Sequence, residues 1–99
     1  MQKSLHSERN RLFLATLRDL RIEAGVTQVR LAEALGMRQT DVSKVERGVR
    51  RLDVVELHAW LTALDTSFIK FATELDDQLE ALTVRGHAGR RRSATRQGR

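Results

Sequence analysis

The chain has 99 residues, 40 % hydrophobic and 31 % charged, with a formal net charge of +5; that length fits one small domain with a tail. It has no cysteine, which excludes a disulfide framework, a thiolate metal site and a cysteine nucleophile, and suits a reducing cytosol. No apolar run approaches the roughly 20 residues a membrane helix needs, and no signal-peptide pattern opens the chain, so the sequence reads as soluble and cytoplasmic.

Proline is absent and Leu, Ala, Arg and Glu dominate, which favours an all-α protein by propensity. The first helix is predicted from about Ser7 to Ala24. Ser7 reads as its N-cap and Glu8 as a first-turn acid that complements the helix dipole. Phe13, Leu17, Leu20 and Ala24 recur at helical spacing and are expected in the core. Gly25 is a stop. Thr27 caps a second helix, 28–35, with Leu31, Ala32 and Leu35 inward, and Gly36 permits a sharp turn. The third helix runs from Gln39 to Arg47 and stops at Gly48. Asp53 caps a fourth, 54–64, with Val54, Leu57, Trp60, Leu61 and Leu64 as its buried set. Ser67 caps a fifth, 68–84. Beyond Gly86 the Arg-rich run has no apolar period and cannot offset the entropy of ordering, so it reads as disordered. The division expected is therefore a body of residues 1–84 and a basic tail of residues 85–99.

Charge is unevenly placed. Residues 1–84 hold 12 Lys/Arg against 13 Asp/Glu, and residues 85–99 hold six Arg and no acid. Within the body, residues 38–51 carry five basic and two acidic groups, whereas residues 53–80 carry seven acids and one Lys. One side attracts a polyanion and the other repels it, which orients an encounter.

The stretch from Thr27 to Gly48 is the most informative. It reads as two short helices joined at a glycine. Val42 and Val45 share one face of the second, and Gln39, Thr40, Ser43, Lys44 and Arg47 lie off that face. An apolar-backed helix with outward hydrogen-bonding groups, held by another helix, is what a DNA major groove admits. Arg50 and Arg51 follow directly and can meet phosphates.

From about Leu17 to Phe71 the chain resembles the phage-repressor/Cro-like helix-turn-helix regulators, the XRE type. The marks in order are Leu17-Arg18 with Arg21, Ala24-Gly25, Thr27-Gln28, Leu31-Ala32, Leu35-Gly36, Gln39, Val42-Ser43, Val45-Glu46-Arg47-Gly48 and Ala63-Leu64. The resemblance implies a five-helix repressor-like fold whose third helix reads the major groove. It implies that Gln28 binds a phosphate, that Gln39, Thr40 and Lys44 lie at base edges, and that Arg21 and Glu46 form an internal ion pair. Two positions depart from the pattern. Arg38 stands where a small capping residue is usual, so the cap is weaker and Arg38 is free to reach a base or phosphate. Asp65 stands where a glycine commonly ends helix four, so that turn is expected to differ.

The residue types suit these roles independently. A Gln amide pairs bidentately with adenine, and Lys donates to guanine O6 and N7. Thr40 offers a hydroxyl and a methyl, the latter for thymine. Ser43 lies where it can approach a base or a phosphate. Arg47 ends its helix, where a cation suits the dipole or touches DNA.

No catalytic set is legible. His6, His58 and His87 belong to different segments, and no metal-ligand spacing or phosphate-cradling glycine loop occurs. No cofactor, metal or enzymatic activity is therefore expected.

Along the fifth helix, Phe68, Ala72, Leu75, Leu79 and Leu82 recur at spacings of four and three, a heptad-like stripe. Phe68, Phe71 and Ala72 are expected on the core. Leu75, Leu79 and Leu82 extend past it and form the expected homodimer seam. The Arg tail is suited to DNA phosphates or a minor groove, to folding back on the acidic helix, or to keeping the chain in solution. The whole reads as a sequence-specific, dimeric DNA-binding regulator, a repressor on a palindromic operator, bound to the nucleoid through its duplex. Alternatives are an antitoxin or restriction-modification controller that autoregulates its operon, with a protein partner such as a toxin, or an interaction adaptor that reads no DNA.

Overall fold

The structure, a computed structural model, describes the backbone of residues 2–86 and the side chains of residues 8–83. Its five helices are α1 (Gln2–Glu23), α2 (Gln28–Leu35), α3 (Gln39–Glu46), α4 (Val54–Ala63) and α5 (Phe68–Gly86). No strand occurs among the described residues. All five helices contribute to one core of Leu17, Leu31, Ala32, Val42, Val45, Trp60, Leu61, Leu64 and Phe71. Each large member stabilises the fold by about 1.5–3 kcal/mol through burial. α2 packs on α3 and α4, while α1 packs on α3 and α5.

Local chemistry sets the helix ends. Thr27 Oγ1 accepts from the Arg30 N–H at 3.1 Å at the start of α2. Asp53 Oδ1 accepts from the Glu56 N–H at 2.8 Å, and Glu56 Oε1 accepts from the Asp53 N–H at 3.1 Å, a reciprocal cap on α4. Ser67 Oγ accepts from the Lys70 N–H at 3.2 Å at the start of α5. Gly36 ends α2 at φ +68, and the Met37 N–H returns to the Ala32 carbonyl at 2.9 Å. That tight closure brings α3 back against α2.

Asp65 closes α4 in the same way as the glycines close theirs. It takes φ +59, its N–H donates to the Thr62 carbonyl at 2.9 Å, and the Thr66 N–H donates to the Leu61 carbonyl at 2.9 Å. The expectation of a different turn is thereby corrected. Asp tolerates the left-handed conformation at a modest cost, so the hydrogen-bonded turn survives the change of residue.

Other differences are instructive. α1 starts at Gln2, so Ser7 and Glu8 lie within the helix and Ser7 is no cap. Residues 2–6 contain neither proline nor glycine, and nothing in them stops propagation. α5 continues to Gly86 rather than 84. Ala24, Val54 and Ala72 were expected in the core and are exposed. Ala24 lies past the last residue of α1. Val54, 62 % exposed, sits in the open first turn of α4. The expected disordered tail beyond Gly86 lies outside the described residues.

α5 runs antiparallel to α1. Thr16 Oγ1 donates to Gln78 Oε1 at 3.1 Å, and Arg9 Nη2 donates to Thr83 Oγ1. Phe13 meets Phe71 edge-on, with ring centroids 6.2 Å apart. No helix among the described residues is long and apolar enough to cross a membrane.

Candidate nucleic-acid interface

An eight-residue helix is marginal alone, so α3 takes its orientation from what ties it down. Val42 and Val45 are completely buried on its inner face. Gln39, Thr40 and Lys44 are exposed, and Ser43 is half-buried. Gly48 closes the helix at φ +80, and a Cβ there would lie 3.1 Å from Leu14 Cδ1 of α1.

Arg38 is the N-cap residue of α3, and its side chain accepts nothing. Asp41 replaces it. Its Oδ2 accepts from the Arg38 N–H at 3.2 Å and faces the Arg38 Nε at 3.5 Å. The Arg38 N–H bond is the main force holding the Asp41 carboxyl below its ordinary value; desolvation, next in size, opposes it, and the Arg38 and Arg50 charges add to the lowering. The Arg38 guanidinium remains largely exposed at the lip of α3.

The back of α3 carries a charged anchor. Glu46 Oε2 accepts from Arg21 Nε at 2.6 Å, and Oε1 accepts from Arg21 Nη2 at 3.1 Å. Arg21 Nη1 also donates to the Val26 carbonyl at 2.9 Å. The two side chains are 11 % and 4 % exposed. This bidentate pair joins α1 to α3 and pins the turn before α2. Gln28 extends it. Its Nε2 donates to Glu46 Oε1 at 2.9 Å, and its Oε1 accepts from Gln39 Nε2 at 2.7 Å. The chain of contacts runs from the core to the outer face of α3. Sequence reasoning paired Arg21 with Glu46 but missed the Gln28–Gln39 link. The signal was available in retrospect, since both glutamines open their helices on either side of one tight turn.

The arginines after α3 differ from one another. Arg47 Nε donates to Ser43 Oγ at 3.2 Å on the helix surface. Arg50 turns to α4, where Nη2 donates to Glu56 Oε2 at 3.1 Å, and its Nη1 is buried without an acceptor among the described residues. Arg51 is exposed. The arrangement presents amide, hydroxyl and cationic groups on one rigid face, the inventory that contacts base edges and phosphates.

The leucine stripe lies elsewhere. Leu75, Leu79 and Leu82 are all half-buried on α5. Leu75 and Leu79 line an apolar groove of about 260 Å³ with Phe13 of α1. The same two leucines line a second groove of about 290 Å³ with Leu57, Phe68 and Phe71. His58 packs beside Phe68 at 5.9 Å. Among the described residues no cluster of three His, Cys, Asp or Glu could hold a metal ion.

Residues 12–68 match the family described as a helix-turn-helix domain. Among solved structures, an XRE-family like protein from Pseudomonas syringae pv. tomato str. DC3000 superposes with a TM-score of 0.73 at 35 % identity, covering 78 % of this chain and 94 % of that one. The restriction-modification controller protein C.Esp1396I superposes with a TM-score of 0.65 at 25 % identity, covering 72 % and 93 %. The clp gene regulator ClgR from Corynebacterium glutamicum gives a TM-score of 0.64 at 28 % identity, covering 79 % and 82 %. Comparison with curated proteins returns no match. The matched segment takes in the whole of α2, α3 and α4, and the chain belongs to the XRE-type helix-turn-helix family of DNA-binding regulators.

Proposed function

We propose that this chain is a sequence-specific transcriptional repressor that binds a palindromic operator as a homodimer. The observation that carries the reading is the construction of α3. Its inner face is buried through Val42 and Val45, Glu46 fixes its back, and Gln39, Thr40 and Lys44 are exposed on the outside. In this reading α3 enters the major groove, with Gln39, Thr40 and Lys44 at base edges and Ser43 and Arg38 beside them. Gln28, Arg47 and Arg51 meet phosphates. Arg50 does so from its seat on Glu56, where it also steadies the start of α4. Repression requires only that the bound domain occlude a promoter. The protein then works in the cytoplasm, on the nucleoid.

The two-fold partner docks on α5. The two apolar grooves flanking Leu75 and Leu79 support this, because helix packing within the chain leaves apolar surface on both sides of the same leucines. A second α3 doubles the base contacts.

Duplex selection from a random pool, followed by binding measurements, tests the reading. Gln39→Ala and Lys44→Ala should each cost about 1–3 kcal/mol on the selected site and little on random DNA. Equal losses on both would remove these residues from base recognition. The likeness to a restriction-modification controller favours one second reading, an autoregulator of its own operon. Tight, specific binding to the DNA upstream of its own reading frame would select it.

A further inference from the structure

α1 and the loop that follows α3 face each other across a cleft of about 130 Å³. Gly48 lets the loop come in against α1, since a Cβ there would lie 3.1 Å from Leu14 Cδ1. Arg50 and Arg51 line the loop side and Asn10 lines the α1 side, and no carboxylate among the described residues lines the cleft. Glu56 accepts from Arg50 Nη2 at 3.1 Å without lining it, and Arg50 Nη1 is buried with no acceptor among the described residues. Asn10 is exposed, and its amide hydrogen-bonds to no described residue. Asparagine is a poor helix former, so helix formation does not account for it. It also precedes residue 12, where the family match begins. An amide donor and two guanidinium groups around one cleft are the inventory that receives an oxyanion. The volume is far above the roughly 10–15 Å³ that one water needs, which leaves room for a phosphate group.

We propose that this cleft seats a phosphate of the DNA backbone, held by Asn10 together with Arg50 and Arg51, and that α1 thereby joins the DNA interface. The proposal rests on the reading that α3 docks on a duplex. Two loop arginines supply charge, but one wall alone leaves a phosphate free to slide past them. Asn10 adds a directed donor from a second element, so the phosphate is gripped from both sides. Val45 of α3 lines the same cleft, so the seat is built on the helix that it registers. Phosphate contacts fix the register and orientation of a protein on the duplex and carry no sequence information. The contribution of Asn10 therefore falls on every sequence alike, while it sets how α3 meets the groove.

Substitution on both sides of the contact tests it. Asn10→Ala should weaken binding about three- to tenfold on selected and random duplexes alike. Alanine is the better helix former, so such a loss does not come from a weakened α1, and circular dichroism checks this. Single neutral methylphosphonates placed along the selected duplex should reveal a position that costs the parent chain about tenfold and costs Asn10→Ala less than about threefold. Asn10→Lys puts a cation at the seat and should steepen the fall of log K with log salt by about 0.9. Thr73→Lys adds the same charge on exposed α5, which does not line the cleft, and should leave that slope unchanged. An Asn10→Ala chain that binds every duplex as the parent does would overturn the proposal and leave the docking of α3 standing. So would methylphosphonate and Asn10→Ala losses that add in full at every position, or equal steepening by both lysines. A parent chain that binds no duplex would instead overturn the DNA reading, and this proposal with it.

Discussion

Removing Glu46 should cost the fold a large share of its stability. Its side chain is 4 % exposed, and its carboxylate accepts from Arg21 twice and from Gln28 once. Glu46→Ala leaves the Arg21 guanidinium, itself 11 % exposed, with only the Val26 carbonyl. Breaking a buried pair by removing one partner costs about 3–5 kcal/mol, because the survivor stays charged and desolvated. Small domains hold only about 5–15 kcal/mol in total. Arg21→Ala should cost a similar amount by stranding Glu46. The double variant should cost less than the sum of the singles by about 2–3 kcal/mol, the coupling of a unit that fails once. Gln28→Ala, which removes a single hydrogen bond, should cost about 1 kcal/mol. Urea unfolding followed by Trp60 fluorescence reads all four variants. Trp60 is the chain's one tryptophan and is 1 % exposed, so its emission shifts when the core opens. Singles that add without coupling, or a Glu46→Ala cost below about 1 kcal/mol, would show that the pair is solvated and does not hold α3.

Three further outcomes are expected. Asp65→Gly should raise stability by about 1 kcal/mol in the same unfolding assay, because a left-handed residue with a Cβ costs about 1–2 kcal/mol and glycine does not, offset by glycine's unfolded entropy; a loss of stability would show that the Asp65 side chain serves the turn. The Asp41 carboxyl lies below its ordinary 3.8 in the folded chain, so its contribution is full above that value and disappears as pH falls through the folded value; the stability difference between the parent and Asp41→Asn should be flat at neutral pH and shrink only in acid, and a difference that grows in acid would reverse the sign of the argument. Leu79→Glu should convert a dimer to a folded monomer with weak, salt-sensitive DNA binding, read by sedimentation and circular dichroism, since a charge does not enter an apolar seam without a large desolvation cost. A parent chain that is monomeric at tens of micromolar would refute the homodimer, and a Leu79→Glu chain that unfolds would make the leucine part of the chain's own core.

Much of the fold was legible because its signals are short-range. Thr27 and Asp53 announce their helices, Gly36 and Gly48 end theirs, and the spacing of Val42 and Val45 names the inner face of α3. Signals that depend on distant residues were harder to read. Ser7 has the chemistry of a cap, but a helix stops only where something stops it, and residues 2–6 contain nothing that does. Val54 fits the apolar spacing of α4, yet spacing records direction around a helix and not whether a neighbour reaches that far along it. Asp65 was read as a departure because glycine is the usual residue there, whereas the hydrogen bonds of the turn belong to the backbone and tolerate the exchange. In the candidate site, the types and spacing of Gln39, Thr40 and Lys44 were visible, while the Gln28–Gln39 contact depends on the geometry of a turn that brings residues 11 apart to 2.7 Å.

The placement of charge follows a single logic. Replacing the buried Arg21–Glu46 pair with apolar side chains would be close to neutral for stability, so stability alone does not account for it. The pair has a directional property that an apolar patch lacks. Its four hydrogen bonds, three of them to Glu46 and one to the Val26 carbonyl, fix α3 in rotation and not merely in distance. An eight-residue helix resting only on Val42 and Val45 could roll on that apolar contact and, in the proposed function, carry Gln39 and Lys44 out of register with base edges. Base recognition tolerates little such movement, because a bidentate contact needs both hydrogen bonds at once. The ion pair therefore stands behind α3 as a rotational stop, and Asp41 clamps the first turn of the same helix from the other end. Between them the outer face is held at both ends, which is the arrangement the proposed reading of bases by so short a helix requires.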